Sequence, residues 1–141
     1  ASNAYGLVGG EANAIAPGKR MLSSMTPTFL DDGTRLGILG TPGGSRIVSM
    51  VLLGTLDFAA GHGPESWVAL PRFHHQYLPD VIEHEPGALD TDQQGELRRM
   101  GHALKPTTQP YGDMQAVLWE RNENRVRAAS DPRGEGAAEP H

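Results

Sequence analysis

The sequence predicts an α+β domain, a mainly antiparallel sheet with helices packed on one face. Three features carry that expectation. Two pairs of short β-prone runs flank turn signals, one pair in each half of the chain. An apolar segment long enough for four helical turns lies between them. A polar segment with helix start and stop signals separates it from the second pair. No internal repeat occurs, and low complexity is confined to the tail.

Residues 1–20 hold small residues and glycines with neither helical nor strand periodicity, which predicts a mobile loop. Residues 25–30 (MTPTFL) and 35–39 (RLGIL) are β-prone and flank Asp31-Asp32-Gly33, a hairpin signal. Gly40-Thr41-Pro42-Gly43-Gly44 closes the second strand. Residues 45–60 (SRIVSMVLLGTLDFAA) then predict a helix with Ser45 as N-cap. Ile47, Val48, Val51, Leu52, Leu56 and Phe58 leave it little polar face, so burial on most sides is expected. Residues 64–70 (PESWVAL) read as a short helix with Pro near its start. Residues 71–78 are expected to be extended, and 81–85 to form a short strand. Residues 90–100 (DTDQQGELRRM) predict an exposed helix capped at Asp90 or Thr91 and stopped by Gly101. Residues 103–105 suggest one more short strand. Residues 114–120 (MQAVLWE) and 125–129 (RVRAA) form the second hairpin around Asn122-Glu123-Asn124. From Gly134 onward the tail is small and charged and is expected to fray.

Composition narrows the function. The 141 residues suit one domain. Hydrophobic residues make up 38%, below the usual share, so the core is thin and help from a neighbouring chain fits. Twelve Lys and Arg against 17 Asp and Glu give a net charge of −5 and no basic face, which argues against nucleic acid. No apolar run reaches the ~18 residues of a membrane-spanning helix. Cysteine is absent, which excludes disulfides, thiolate metal sites and cysteine nucleophiles. No targeting signal is present in the first residues.

Two places could carry chemistry. Gly43-Gly44 stands between a strand and a helix, where backbone can approach a ligand and N–H groups can converge on one anionic oxygen. A phosphate cradle, an oxyanion hole for acyl transfer and a plain tight turn all fit. The phosphate reading lacks the Gly-Lys-Ser/Thr ending of a P-loop, for which Arg46 is a poor substitute. Ser23-Ser24 offers neighbouring hydroxyls able to donate to both oxygens of a carboxylate. A nucleophilic serine or simple turn serines fit as well, although no His or Lys is placed by spacing as a base. His74 and His75 are adjacent on an extended run, so their side chains face apart and no shared metal is expected. Asp31-Asp32 reads as turn, Arg98-Arg99 as a solvated helix face, and Trp67 and Trp119 as core.

Longer strings then add a resemblance. Residues 5–14 (YGLVGGEANA), 17–28 (PGKRMLSSMTPT), 40–47 (GTPGGSRI), 71–76 (PRFHHQ), 78–80 (LPD) and 129–133 (ASDPR) resemble, in this order, the small subunit of γ-glutamyltranspeptidase. The resemblance implies an N-terminal nucleophile hydrolase, an αββα sandwich of which residues 1–141 are the C-terminal portion of the small subunit. Residues 1–20 would then be a lid-type loop. It implies a self-cleaving precursor whose new N-terminal Thr takes the γ-glutamyl group from glutathione and related compounds. That group then passes to an amino acid, a peptide or water. By position, Gly43 and Gly44 match the oxyanion hole, Ser23 and Ser24 the clamp on the substrate α-carboxylate, and Tyr5 the lid aromatic. No cofactor or metal is implied, and the family's location is periplasmic or extracellular. His74 and His75 fall in a family motif with no chemistry attached.

The family's nucleophile, the hydroxyl supporting it, the groups holding the substrate α-amine and the large subunit's carboxylate-binding Arg have no match in these residues. The expectation is therefore half a site, inactive without the large subunit and the N-terminal part of the small subunit. A cephalosporin-acylase-type fragment is one alternative, against which Ser23-Ser24 argues. A non-catalytic binding or assembly module is the other.

Overall fold

The computed structural model describes residues 9–139. Its first hairpin is built by the turn chemistry of two aspartates. Asp31 Oδ1 accepts the Gly33 N–H at 2.8 Å, and Asp32 Oδ1 accepts from Thr34 and Arg35 N–H at 2.9 and 2.7 Å. Gly33 takes φ +90°, open to glycine at little cost. The turn sets β1 (Thr28–Asp31) antiparallel to β2 (Arg35–Gly40), with Phe29 opposite Ile38. At the other end of the chain β6 (Gln115–Glu120) and β7 (Arg125–Ser130) form the second hairpin. β2 and β6 pair at the centre, and the order β1-β2-β6-β7 is antiparallel throughout.

Strand alternation gives this sheet two different faces. Leu30, Gly37 and Leu118 lie in register on one face, as do Leu39, Ala116 and Ala129. Against this face pack α1 (Ile47–Ala59) and α2 (Pro64–Ala69). The core there contains Leu39, Met50, Trp67, Met114 and Leu118, all essentially without exposure. Gly37 lets the helices approach: a Cβ there would stand 3.0 Å from Trp67 and 3.1 Å from Phe58. The opposite face carries Phe29, Ile38, Val117 and Ala128 in one register row and Leu36, Trp119 and Val126 in the next. It is apolar yet open, with Phe29 at 67% exposure. A sheet apolar on both faces calls for a second covering layer. This agrees with an αββα sandwich that is incomplete within these residues.

The remaining residues build a small second sheet. β3 (Phe73–His74) pairs antiparallel with β4 (Ile82–His84), and β5 (Leu104–Pro106) pairs parallel with β4. The parallel pair needs a crossover, which α3 (Thr91–Arg99) supplies. Asp90 caps α3 in a full capping box with Gln93, and Gly101 at φ +95° follows its end.

Several expectations from the sequence change. Ser45 does not cap the long helix. A 3₁₀ turn at Gly44–Arg46 comes first, and α1 starts at Ile47 with no side-chain cap. That helix is not buried on most sides either, because Val48, Leu52 and Leu56 lie exposed along one stripe. Trp119 belongs to the open sheet face rather than the core, with the Arg121 guanidinium 5.5 Å from its ring. Of residues 71–78, only Phe73–His74 is strand. The chain after β7 stays close to the sheet at two points. A Cβ on Gly134 would touch Asp113, and one on Gly136 would touch Ser130.

Candidate functional site

The bend between β2 and α1 is shaped by two glycines in conformations that other residues rarely adopt. Gly43 has φ +149° and Gly44 φ +60°. Gly43 is pressed on Met50, whose terminal methyl would lie 2.6 Å from an added Cβ, whereas Gly44 has open space around it. Both glycines are exposed. Their carbonyls are occupied: Gly43 O accepts Arg46 N–H at 3.2 Å, and Gly44 O accepts the Ile47 N–H. Among the described residues, neither glycine amide donates a hydrogen bond. Two adjacent N–H groups at an exposed bend are able to bind an anionic oxygen.

The hydroxyl pair lies beside this bend. Ser24 Oγ donates to Gly44 O at 2.6 Å, twenty residues further along the chain. Ser23 Oγ accepts the Met25 N–H at 3.1 Å, which leaves its own proton for another acceptor. Ser23, Ser24 and Gly44 line one cleft of about 500 Å³, together with Thr41, Asp113 and Gln115. Gly43 stands next to this wall in the chain. Tyr5 lies outside the described residues. The structure thus brings together four of the five residues singled out from the sequence.

Three wall residues were missed. Asp113 N–H donates to Thr41 Oγ1 at 3.2 Å, and Gln115 Nε2 donates to Asp113 Oδ1 at 2.8 Å. These links span the two hairpins, and no local spacing announces them. Arg46 was also passed over except as a failed P-loop lysine. Its guanidinium donates to Glu83 on β4 and lies 4.9 Å from the Tyr111 ring. The Arg46 hydrogen bond holds the Glu83 carboxyl below its ordinary 4.5, against the opposing effect of burial. Burial, helped by the charge of Glu85, pushes the Tyr111 phenol up to about 12, so the ring under Arg46 stays neutral.

The histidines divide as their spacing implied. His74 is buried, with Nδ1 2.7 Å from Ser49 Oγ and Nε2 3.0 Å from Gln76 Oε1. His75 pairs with Asp80 at 2.8 Å. Among the described residues no group of three or more His, Asp or Glu side chains could hold a metal ion. No helix among them is long and apolar enough to cross a membrane.

Comparison with known proteins gives one answer. The chain is 45% identical over 142 residues to the glutathione hydrolase proenzyme of Pseudomonas aeruginosa, covering 96% of this chain and 25% of that protein. The solved γ-glutamyltranspeptidase of Pseudomonas nitroreducens, complexed with L-DON, superposes with a TM-score of 0.80 at 41% identity. That match covers 100% of this chain and 74% of the other. The Helicobacter pylori γ-glutamyltranspeptidase T380A mutant gives a TM-score of 0.82 at 36% identity, covering 95% and 74%. The chain therefore spans about a quarter of the length of the curated relatives it matches. The family model for gamma-glutamyltranspeptidase matches residues 1–141. A family match over all 141 residues, 45% identity to a family proenzyme and the same fold have one reading: this chain belongs to the γ-glutamyltranspeptidase family.

Proposed function

We propose that these residues supply half of the active site of a γ-glutamyl transferase or hydrolase acting on glutathione and other γ-glutamyl compounds. In this reading the Gly43 and Gly44 amides bind the oxyanion that forms when the γ-carbonyl is attacked. The Ser23 and Ser24 hydroxyls bind the substrate α-carboxylate, and Tyr5 covers the pocket. The nucleophile, an N-terminal Thr using its own α-amine as base, comes from the preceding part of the small subunit. The large subunit supplies the remaining carboxylate contact. A γ-glutamyl-enzyme then forms and passes its acyl group to an amine or to water. A periplasmic or extracellular location goes with the same family reading.

One observation carries this proposal: the hydrogen bond from Ser24 Oγ to Gly44 O, 2.6 Å long. A carboxylate held at the serines and an acyl carbon held over the bend are ends of one short glutamyl chain, and that bond sets the span between the two places before substrate arrives. The Ser24 proton turns from Gly44 O to the substrate carboxylate on binding, so occupancy of the clamp is felt at the bend.

The test is turnover of a chromogenic γ-glutamyl anilide. Residues 1–141 alone are expected to be inactive, and the proenzyme containing them is expected to mature and turn over. Turnover by the isolated residues would refute the half-site, and a mature proenzyme inactive on every γ-glutamyl donor would refute the reaction. Glutaryl donors, tried in parallel, distinguish an acylase of the cephalosporin type.

A further inference from the structure

An oxyanion hole works only if its donors are already aimed before charge develops. The bend built by Gly43 and Gly44 is poorly suited to hold such an aim by itself. Its two residues have the greatest backbone freedom of any type, both are exposed, and Gly44 has open space where a side chain would stand, with only its carbonyl tied, to Ser24 Oγ and the Ile47 N–H. Met50 crowds Gly43 most closely, with Ile47 and Arg46 farther off. Those bonds act on a carbonyl, so the aim of the two amides also depends on what holds the ends of the bend.

On the C-terminal side the restraint is Arg46, two residues past Gly44. Its backbone N–H closes the turn onto Gly43 O at 3.2 Å. Its side chain reaches Glu83 on β4, a residue 37 positions away in the small second sheet. The other oxygen of Glu83 accepts from Lys105 Nζ on β5 at 3.3 Å, which fixes the carboxylate from the opposite side. The guanidinium is also stacked over Tyr111, whose carbonyl is held by the buried Arg72. The Glu83 side chain is 18% exposed and that of Arg46 38%, so the pair is desolvated on its carboxylate side.

Charge makes the arrangement more telling. Arg46 occupies the N-cap position of α1, where a cation opposes the helix dipole. A residue kept there against local electrostatics needs a compensating partner, and Glu83 is that partner. A free Arg46 could swing toward the bend and act as a loose positive charge. Paired with Glu83, it cannot.

We infer that Arg46 and Glu83 are positioning residues for the oxyanion amides: their ion pair bolts the diglycine bend to the second sheet. This rests on the function proposed above. The pair touches neither substrate nor nucleophile and acts only by fixing where Gly43 and Gly44 N–H point. Its contribution therefore appears in the transition state and not in ground-state binding.

The experiment uses the whole proenzyme containing these residues, with rates normalised to the matured fraction seen on a gel. Glu83→Gln keeps the shape of the side chain and removes the charge, and Arg46→Lys keeps the charge and removes the fork. Glu83→Gln is expected to lower kcat about tenfold and Arg46→Ala up to about a hundredfold, the scale of a misaimed donor. KM for the donor and the affinity of a non-hydrolysable γ-glutamyl analogue should stay unchanged. Arg46→Lys should recover part of the loss, and Glu83→Gln added to Arg46→Ala should cost nothing more. An unchanged or higher kcat in Glu83→Gln would overturn the inference, since a directly acting cation would gain from release. A fall in analogue affinity matching the fall in kcat would overturn it too, as general damage to the fold. Wild-type proenzyme without γ-glutamyl turnover overturns the functional reading together with this one. An active wild type with indifferent variants overturns this one alone.

Discussion

Arg72 and Asp131, 59 residues apart in sequence, form an ion pair whose side chains are 2% and 0% exposed. Both carboxylate oxygens carry further bonds. Asp131 Oδ2 also accepts the Met114 N–H at 2.9 Å, and Asp131 Oδ1 accepts from Arg133 N–H at 2.9 Å and its guanidinium at 3.1 Å. Arg133 in turn grips Glu85 at 2.6 and 2.9 Å and donates to the Val68 and Leu70 carbonyls. The network ties the end of α2, the start of β3 and the chain after β7 into one block.

Asp131→Asn is expected to destabilise the protein by about 3–5 kcal/mol, because it leaves the Arg72 charge buried without a counter-ion. Burial alone would raise the Asp131 carboxyl. The Met114 and Arg133 amides and the Arg72 guanidinium outweigh it and hold the group below its ordinary 3.8. A depressed pKa adds stability that is complete above about 3.8 and disappears as pH falls through the lowered value. Urea unfolding of the proenzyme across this acid range should show a steeper loss for wild type than for Asp131→Asn. Parallel curves would mean that another carboxylate governs the acid limb.

Gly37→Ala tests the approach of the helices to the sheet. The added methyl would meet Trp67 at 3.0 Å and Phe58 at 3.1 Å. Those rings are themselves locked edge-to-face at 5.6 Å and have no free end to yield. A cost of about 1–3 kcal/mol is expected for this overpacking, read as a lower thermal midpoint with altered Trp67 fluorescence. A neutral result would show that the layers can separate without penalty.

What the sequence revealed follows the range of the interaction. Asp31-Asp32-Gly33 and the Asp90–Gln93 box act within a few residues, so both turn and cap were legible. Apolar pattern was legible too, but not its covering. Val48, Leu52 and Leu56 are as apolar as the core residues beside them, and exposure is decided by what packs there, which no periodicity states. Ser45 has the right chemistry for a cap; the positive φ of Gly43 and Gly44 inserted a 3₁₀ turn that moved the helix start beyond it. Arg46–Glu83, Arg72–Asp131 and Ser24–Gly44 join distant segments, and nothing local pairs them. The candidate site residues were proposed from their strings and the family those strings resemble. Spacing alone left a turn as good a reading as an oxyanion hole.

The open sheet face predicts the behaviour of the isolated residues. Phe29, Val117, Trp119 and Val126 form an uncovered apolar surface, and such surfaces associate. Residues 1–141 alone should bind a hydrophobic dye and self-associate at micromolar concentration. Val117→Lys with Val126→Lys should relieve both effects, and the same pair in the proenzyme should block maturation. A monomeric, dye-silent wild-type fragment would instead favour a self-sufficient module.

The two glycines of the bend should respond differently to the same substitution. Gly44→Ala places a methyl in open space at φ +60°, a strain of about 1–2 kcal/mol, and it keeps the amide. Gly43→Ala drives the methyl against Met50 at φ +149° and must move the bend. Steady-state kinetics on the γ-glutamyl anilide should show kcat reduced less than about tenfold for Gly44→Ala and about a hundredfold for Gly43→Ala. Equal losses would count against the two amides as the oxyanion donors.

The serines should also separate, and for a reason visible in their hydrogen bonds. Ser23 contributes a proton to no acceptor at the bend, so on the proposed function Ser23→Ala removes the bond to the substrate carboxylate and a local bond from the Met25 N–H, and leaves the bend untouched. Such charged hydrogen bonds contribute roughly 1.5–3 kcal/mol, about a ten- to hundredfold rise in KM with kcat little changed. Ser24→Ala removes the same kind of bond, so it too should raise KM with a glutamyl donor, and it also removes the link to Gly44 O, which stays intact when the donor has no carboxylate. The control is a donor lacking the α-carboxylate, a γ-aminobutyryl anilide. With that donor Ser23→Ala should be silent, because its partner is gone from both sides of the comparison, whereas Ser24→Ala should lower kcat through the lost Gly44 link. A Ser23→Ala penalty that survives loss of the carboxylate would place that hydroxyl elsewhere in the reaction.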